Sequence, residues 1–515
     1  MSSADRSDNG GADLRSTRYG RRHFLKLVGG TAATIVGGAY LLGDNLRVAS
    51  ASYPSRAFGG GRQKYLHLVA SDGFVSMPTS ANPLDAVWPE SLAPAGRNLY
   101  TFGFVNPNVA GAVWPKAGNP NFAPAGRFWL ENSDLPAGGG TKSFIPLTEA
   151  GAVPGLLDLS GGAELSAPML YFDEGDDVVI TLWNISESQR PEAPDFHTIH
   201  FHGFPNQIPY FDGVPDSSLT PTINSSLTYR YIIRQPGSFM YHCHVDDVEH
   251  VHMGLTGIVF IRPAQNRTGA GGGPPARYAG GPPTAPAGYV FNDGVAPGQP
   301  GSTSYDREFA FILTEADVRF HWNNAHQQEN DFSEYNPTFA LMNGRAYPDT
   351  LAPNRPDYLP SGPGFSLADF EASYARLHRN PWSSLIEAQP GETILLRFSN
   401  LGFKEHSMTL PGLEMWVVGR DSEQLTAGRP GFAGGPPRAD ATWKSDVVHL
   451  GPGESRDVLV KVPSPLADTT FHFYDRMDRF ANEATGQKTP GSIRTEFRVR
   501  SGLPPQTIPH QSFTA

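Results

Sequence analysis

Cys243 is the single cysteine of the chain, and it stands between two histidines in Tyr241-His242-Cys243-His244. The run Thr228–Met240 that leads into it reads as a strand. Successive side chains of a strand point to opposite faces. His242 and His244 therefore look one way while the Cys243 sulfur looks the other. Two imidazoles on one side and a thiolate on the reverse cannot converge on one tetrahedral ion, which argues against zinc. They suit two metal centres set back to back and joined through the backbone. A buried cysteine without chemistry normally has apolar neighbours along the chain, whereas this one is flanked by two histidines.

A second stretch answers the first. His197-Thr198-Ile199-His200-Phe201-His202-Gly203 follows the alternating run Asp177–Trp183. In an extended segment His200 and His202 share a face, and His197 has the opposite parity. After the cysteine come Asp246, Asp247, Glu249, His250, His252, Met253, Gly254 and Leu255. A loop histidine there can return to the cysteine side. His197, Cys243 and His250 then make the two-imidazole, one-thiolate trigonal set of a blue-copper electron-transfer site. His200, His202, His242 and His244 make a second set on the other face. Seven of the sixteen histidines fall between residues 197 and 252.

These two stretches resemble the signatures of the multicopper oxidases. His197-x-x-His200-x-His202-Gly203 is similar to their His-Pro-x-His-x-His-Gly, and His242-Cys243-His244 through His250 to Gly254-Leu255 is similar to their His-Cys-His-x-x-x-His-x-x-x-Gly-(Met/Leu). The resemblance implies that His197, Cys243 and His250 are type 1 copper ligands, with Leu255 at the axial position and not coordinating. Met253 is the alternative axial residue. It implies that His200 serves a type 2 copper and that His202, His242 and His244 serve a type 3 pair. The segment from Cys243 to His250 is two residues longer than the family's pattern, which makes His252 a rival ligand. Electrons would enter near His250 and cross the Cys243 sulfur and its peptide to the second centre, where dioxygen is reduced. Asp246, Asp247 and Glu249 read either as a solvated acidic loop or as an attraction for cationic donors. Asp212 reads as a proton relay or a turn cap.

The elements that must position these residues are strands. Gly (56) and Pro (47) are abundant, helical periodicities are absent, and short alternating runs lie between turn signals. The expected fold is all-β, with two cupredoxin-like Greek-key β-sandwich or barrel domains joined by a Gly/Pro-rich linker. Residues 62–263 are the first domain, 264–304 a linker that buries little, and 305–500 the second domain. His67 reads as structural. The second half repeats the first: Gly175–Asn184 matches Gly391–Asn400 at equal length. His406-Ser407-Met408-Thr409-Leu410-Pro411-Gly412 then lies on the histidine motif, with Thr409 and Pro411 where histidines belong. Phe471-His472-Phe473-Tyr474 lies on Tyr241–His244, with Phe473 at the cysteine position. His406 and His472 are the surviving candidates for ligands in that half.

Residues 1–51 read as a signal peptide. Arg21-Arg22 precedes a modest apolar run that ends in Ala49-Ser50-Ala51, the pattern of twin-arginine export and cleavage. The expected location is periplasmic or secreted, with no membrane segment in the mature form. That segment holds seven Lys/Arg and four Asp/Glu, so its loss takes the net charge from −11 to −14. An acidic chain without basic clusters argues against nucleic acid. The function expected is one-electron oxidation of a phenolic or metal-ion donor coupled to dioxygen reduction. Two alternatives are a nitrite-reductase-like enzyme and a cupredoxin used for electron transfer or copper binding. By analogy with related two-domain proteins, the assembly expected is a homotrimer.

Overall fold

The structure is a computed structural model. It describes residues 63–78, 97–105, 157–188, 195–204, 211–356, 365–427, 438–477, 481–482, 489–490 and 493–506. The signal peptide expected at 1–51 lies outside the described residues.

The first half is a sandwich of two four-stranded sheets. One sheet holds β1 (Gln63–Val75), β2 (Leu99–Val105), β4 (Asp177–Asn184) and β6 (Ser225–Ile232), in the order β2-β1-β4-β6. The other holds β3 (Leu170–Asp173), β5 (His200–Phe201), β7 (Gly237–His242) and β8 (Thr256–Arg262), in the order β3-β8-β7-β5. Period-2 alternation builds the core between them. Val178, Ile180 and Leu182 of β4 and Leu227, Tyr229 and Tyr231 of β6 meet Phe201, Tyr241, Val259 and Ile261 from the facing sheet. Cys243 and Leu255 belong to this same cluster. The pairing of β1 with β4 is parallel and that of β4 with β6 antiparallel.

Between the halves, residues 264–304 do more than the composition predicts. β9 (Gly288–Tyr289) pairs with β10 (Ser304–Tyr305), and Tyr289 is buried. Ala287, Val290 and Phe291 pack against Tyr305, Leu395, Val418 and Leu459. Asp293 accepts from the Thr303 N–H and hydroxyl, and Asn266 accepts from the Tyr289 N–H, which satisfies backbone that a bare linker would leave to water. The expectation that this stretch buries little is therefore wrong: the short apolar run Tyr289–Phe291 outweighs its Gly/Pro surroundings.

The second half is a second sandwich. Its larger sheet takes β11 (Arg307–Ala316), β12 (Phe339–Met342), β14 (Thr393–Asn400), β16 (Met415–Arg420), β17 (Glu423–Gln424), β18 (Trp443–Ser445) and β20 (Ser455–Lys461). Its smaller sheet runs β13-β24-β21-β15-β19, from β13 (Ile386–Ala388), β15 (His406–Thr409), β19 (Val447–Leu450), β21 (Thr469–Asp475) and β24 (Arg494–Val499). A ribbon of β22 (Ala481–Asn482) and β23 (Thr489–Pro490) completes the strands. β14 occupies its sheet as β4 does, parallel to one neighbour and antiparallel to the next. Asn184 and Asn400 close the two strands alike, each accepting from the N–H two residues on. The all-β expectation is borne out.

A buried charge chain holds β7 from the second half. Arg262 pairs with Glu308, Glu308 with Arg397, and Arg397 with Asp457, each at 2.8 Å. Asp457 in turn accepts from the Ser238 hydroxyl at 2.6 Å. Ser422 and Ser455 donate to the Ser238 carbonyl, and Ser399 donates to that of Phe239. No helix among the described residues is long and apolar enough to cross a membrane.

Candidate metal centres

β7 delivers its ligands by simple parity. Its pairing with β5 sets His200 opposite His242 and Phe201 opposite Tyr241. Cys243 follows, its N–H donating to the Leu255 carbonyl at 3.0 Å. The extra residues after it coil into a helix, α1 (Asp247–Met253), which turns His250 back onto the cysteine. Asp247 and Glu249 lie in its first turn, where acidic side chains favour a helix start. The helix ends on Gly254 at φ 116, where a Cβ would stand 2.7 Å from the Phe102 carbonyl oxygen. Only glycine lets the chain re-enter β8 so close to the core.

The first group is His197, Cys243 and His250, all buried, with one ligand atom from each lying within 4.8 Å of the others. His250 Nδ1 lies 3.3 Å from the Cys243 sulfur and His197 Nδ1 lies 3.8 Å from it. The Thr198 N–H points at the same sulfur at 3.4 Å. Behind each imidazole stands a carboxylate. Glu187 accepts from His197 Nε2 at 2.7 Å and is fully buried; Asp195, partly exposed, lies 3.8 Å from His250 Nε2. Such outer partners fix the ring orientation and raise ligand basicity. Burial alone would push the Cys243 thiol up, but the charge of His250 and hydrogen bonds from both imidazoles pull it down to about 5. Burial opposes protonation of His197, yet its bonds to Cys243 and Glu187 raise it to about 9. Leu255 and Met253 are both buried in the surrounding core.

The second group is on the other side of the peptide. His200, His202 and His242 bring ligand atoms within 4.8 Å of one another. The Nε2 atoms of His202 and His242 are 2.9 Å apart. His242 Nδ1 donates to the Cys243 carbonyl and His200 Nδ1 to the Asp212 carbonyl, both at 2.6 Å, which aims their Nε2 atoms into the group. Burial lowers His242 to about 3 and His202 to about 4, so both are neutral. Neutral imidazole is the metal-binding form. The His244 ring stands 5.1 Å from that of His200 and 5.4 Å from that of His242, as close as the three rings are to one another, although its ligand atoms are not among those within 4.8 Å.

Other expected residues lie elsewhere. His252 Nε2 accepts from the Asp317 N–H, and its ring packs on His321, Phe403 and Tyr335. His406 is held between Glu315 and Asp475, 2.9 Å from each. His472 is exposed, its Nδ1 3.2 Å from an Arg494 guanidinium nitrogen. The buried His67 accepts from Trp183 Nε1, a structural bond.

The register of the second half corrects the sequence reading. Thr409 faces Tyr474 and Met408 faces Asp475. A Cβ on Gly412 would meet the Phe471 ring, as one on Gly203 would meet Phe239. Asp475, not Phe473, thus stands where Cys243 stands, and Tyr474 stands in place of His242. His406 faces Asp475 as His197 faces Cys243, and the Ser407 N–H donates to Asp475 as the Thr198 N–H does to the sulfur. Ladder bonds fix the register, whereas the sequence match follows a histidine, His472, that the ladder sets two residues away. Thr409 and Pro411 keep the positions expected of them. Glu187 and Asp195 escaped the sequence reading because they lie in polar, aperiodic loop that shows no partner until the chain folds.

A family model described as multicopper oxidase matches residues 162–266. "Laccase 1" of Metarhizium acridum (strain CQMa 102) is 35% identical over 108 residues, 21% of this chain and 16% of that protein. "Multicopper oxidase MCE" of Talaromyces pinophilus is 36% identical over 105 residues, 20% of this chain and 16% of that one. The chain thus spans about a sixth of the length of these relatives. A solved blue copper oxidase from Nitrosomonas europaea is similar at a TM-score of 0.48 and 17% identity, over 85% of this chain and 86% of that one. Both groups of candidate ligands lie inside residues 162–266, the stretch that is similar to the multicopper oxidase model.

Proposed function

We propose that this chain is a copper-dependent oxidoreductase of the multicopper oxidase type, oxidising a small phenolic or metal-ion donor one electron at a time and reducing dioxygen. The observation that carries the reading is the pair of ligand groups set back to back across the peptide His242-Cys243-His244. The donor sets fit copper: two imidazoles and a thiolate on one side, neutral imidazoles on the other. His197, Cys243 and His250 would hold a type 1 copper, with Leu255 axial and not coordinating. His200, His202, His242 and His244 would serve the second centre. Bound copper supplies the one-electron redox chemistry.

The chain's own residues do the rest. Glu187 fixes the tautomer of His197 through its bond to Nε2. Asp195, partly exposed, lies 3.8 Å from the buried His250, so a donor resting against it would lie close to the first centre. The exposed Asp246 and Asp247 favour a cationic donor approaching the same rim. Asp212 orients His200. A few covalent bonds through Cys243 connect the two groups. The reading also takes residues 62–263 and 305–500 as two domains, twin-arginine export with cleavage after Ala51, and a homotrimer.

The test is absorption spectroscopy and oxygen uptake of the copper-loaded mature protein beside Cys243→Ser. An intense blue band and donor-dependent oxygen uptake are expected, both lost in the variant. A colourless copper-loaded wild type refutes the reading.

A further inference from the structure

The proposed function leaves open how many coppers the chain holds, and the corrected register answers this. We infer that one chain binds two copper ions, one in each group of its first half, and that its second half binds none. The inference rests on the copper reading above and adds the nuclearity of the second centre.

In the second half, the positions matching His200, His202, His242 and His244 carry Thr409, Pro411, Tyr474 and Arg476. None of them is an imidazole, and Arg476 brings a positive charge. A second copy of this chain would present the same four residues at those positions. The position matching the thiolate carries Asp475, which clamps His406 against Glu315 with both ring nitrogens in use. An imidazole bonded to a carboxylate at each nitrogen has no lone pair for a metal. His472 has a guanidinium beside it. The buried Nε2 of His321 is without a partner and lines a cavity with His252. Yet His252 accepts there from the Asp317 N–H, and the two belong to neither candidate metal group among the described residues.

The first half, by contrast, supports one ion in its second group. His200, His202 and His242 bring ligand atoms within 4.8 Å of one another, close enough to share one ion. The Nε2 atoms of His202 and His242 are 2.9 Å apart. Carbonyl anchors on the Nδ1 atoms of His200 and His242 fix the direction of their ligand nitrogens before any ion arrives. A further ion on the far side would have, among the described residues of the two motifs, only His244 left to hold it.

Metal analysis of the copper-loaded full-length protein, with double-integrated EPR of the same samples, tests the inference. Two coppers per chain are expected, every one detected as an isolated spin. His202→Ala should lose one copper and keep the blue band, while Tyr474→Phe and His406→Gln keep both coppers. More than two coppers per chain, a large EPR-silent fraction from a coupled pair, a single copper per chain, or loss of copper from Tyr474→Phe would each overturn it. A blue protein with the wrong copper count rejects this inference alone; a colourless one rejects the reading beneath it.

Discussion

Glu187→Gln is the sharpest probe of the first centre. The carboxylate is fully buried and lies 2.7 Å from His197 Nε2. Glutamine keeps the shape and an accepting oxygen, so the ring is still held, but the negative charge is gone. Loss of a carboxylate behind a ligating histidine typically lowers metal affinity about 10–100-fold. That corresponds to about 1.4–2.7 kcal/mol. It agrees with the worth of one charge-assisted hydrogen bond, about 1.5–3 kcal/mol. The same change should raise the reduction potential, since the anion favours the more positive oxidised ion. Asp195→Asn should do less, because its carboxylate is 3.8 Å from His250 and partly hydrated. The assay is competition for copper against a chelator of known affinity, followed by the blue band. An affinity in Glu187→Gln within twofold of wild type would refute the assignment of Glu187 as the group that sets His197.

Other consequences can be checked separately. Leu255→Met brings a thioether to the axial position at little packing cost, about 1.5 kcal/mol or less; the reduction potential should fall, and an unchanged potential would place the axial position elsewhere. The clamp around His406 gives a pH dependence. Burial opposes its charge, but bonds to Asp475 and Glu315 raise it from 6.5 to about 9. A raised histidine contributes its full stability below pH 6.5 and loses it as pH climbs through 9. Chemical denaturation of the copper-loaded protein should therefore show falling stability between pH 6.5 and 9, with the slope reduced in His406→Gln. An equal slope in both would exclude His406 as its source. Asp457→Ala strips the buried Arg397 of one carboxylate and frees β7 at Ser238. It should cost about 3–5 kcal/mol on denaturation, and a loss below 1 kcal/mol would show the charge chain to be dispensable.

Much of the site was legible because a strand's period is short and strict. The opposite facing of Cys243 and its two histidines follows from residue order alone, and the structure keeps it through the β5–β7 ladder. His250 was legible as a returning ligand, although the helix that returns it was not. Charged partners were not legible. Arg262 and Arg397 look in the sequence like single charges within apolar strands, Glu308 and Asp457 stand beside other charges, and their pairing depends on how two sandwiches meet. The register of β21 was misread for a related reason. Phe471-His472-Phe473-Tyr474 is similar in letters to Tyr241–His244, but backbone pairing with β15 places Asp475 at the cysteine position. The Gly/Pro count of 264–304 concealed a set of buried side chains, among them Asn266, Ala287, Tyr289, Val290 and Phe291.

The most direct test of Cys243 as a copper ligand is X-ray absorption at the copper edge, on wild type and on Cys243→Ser at equal loading. One short copper–sulfur shell is expected in the wild type, with only nitrogen and oxygen neighbours in the variant. A wild-type spectrum without that sulfur shell, or one unchanged by the substitution, would contradict it.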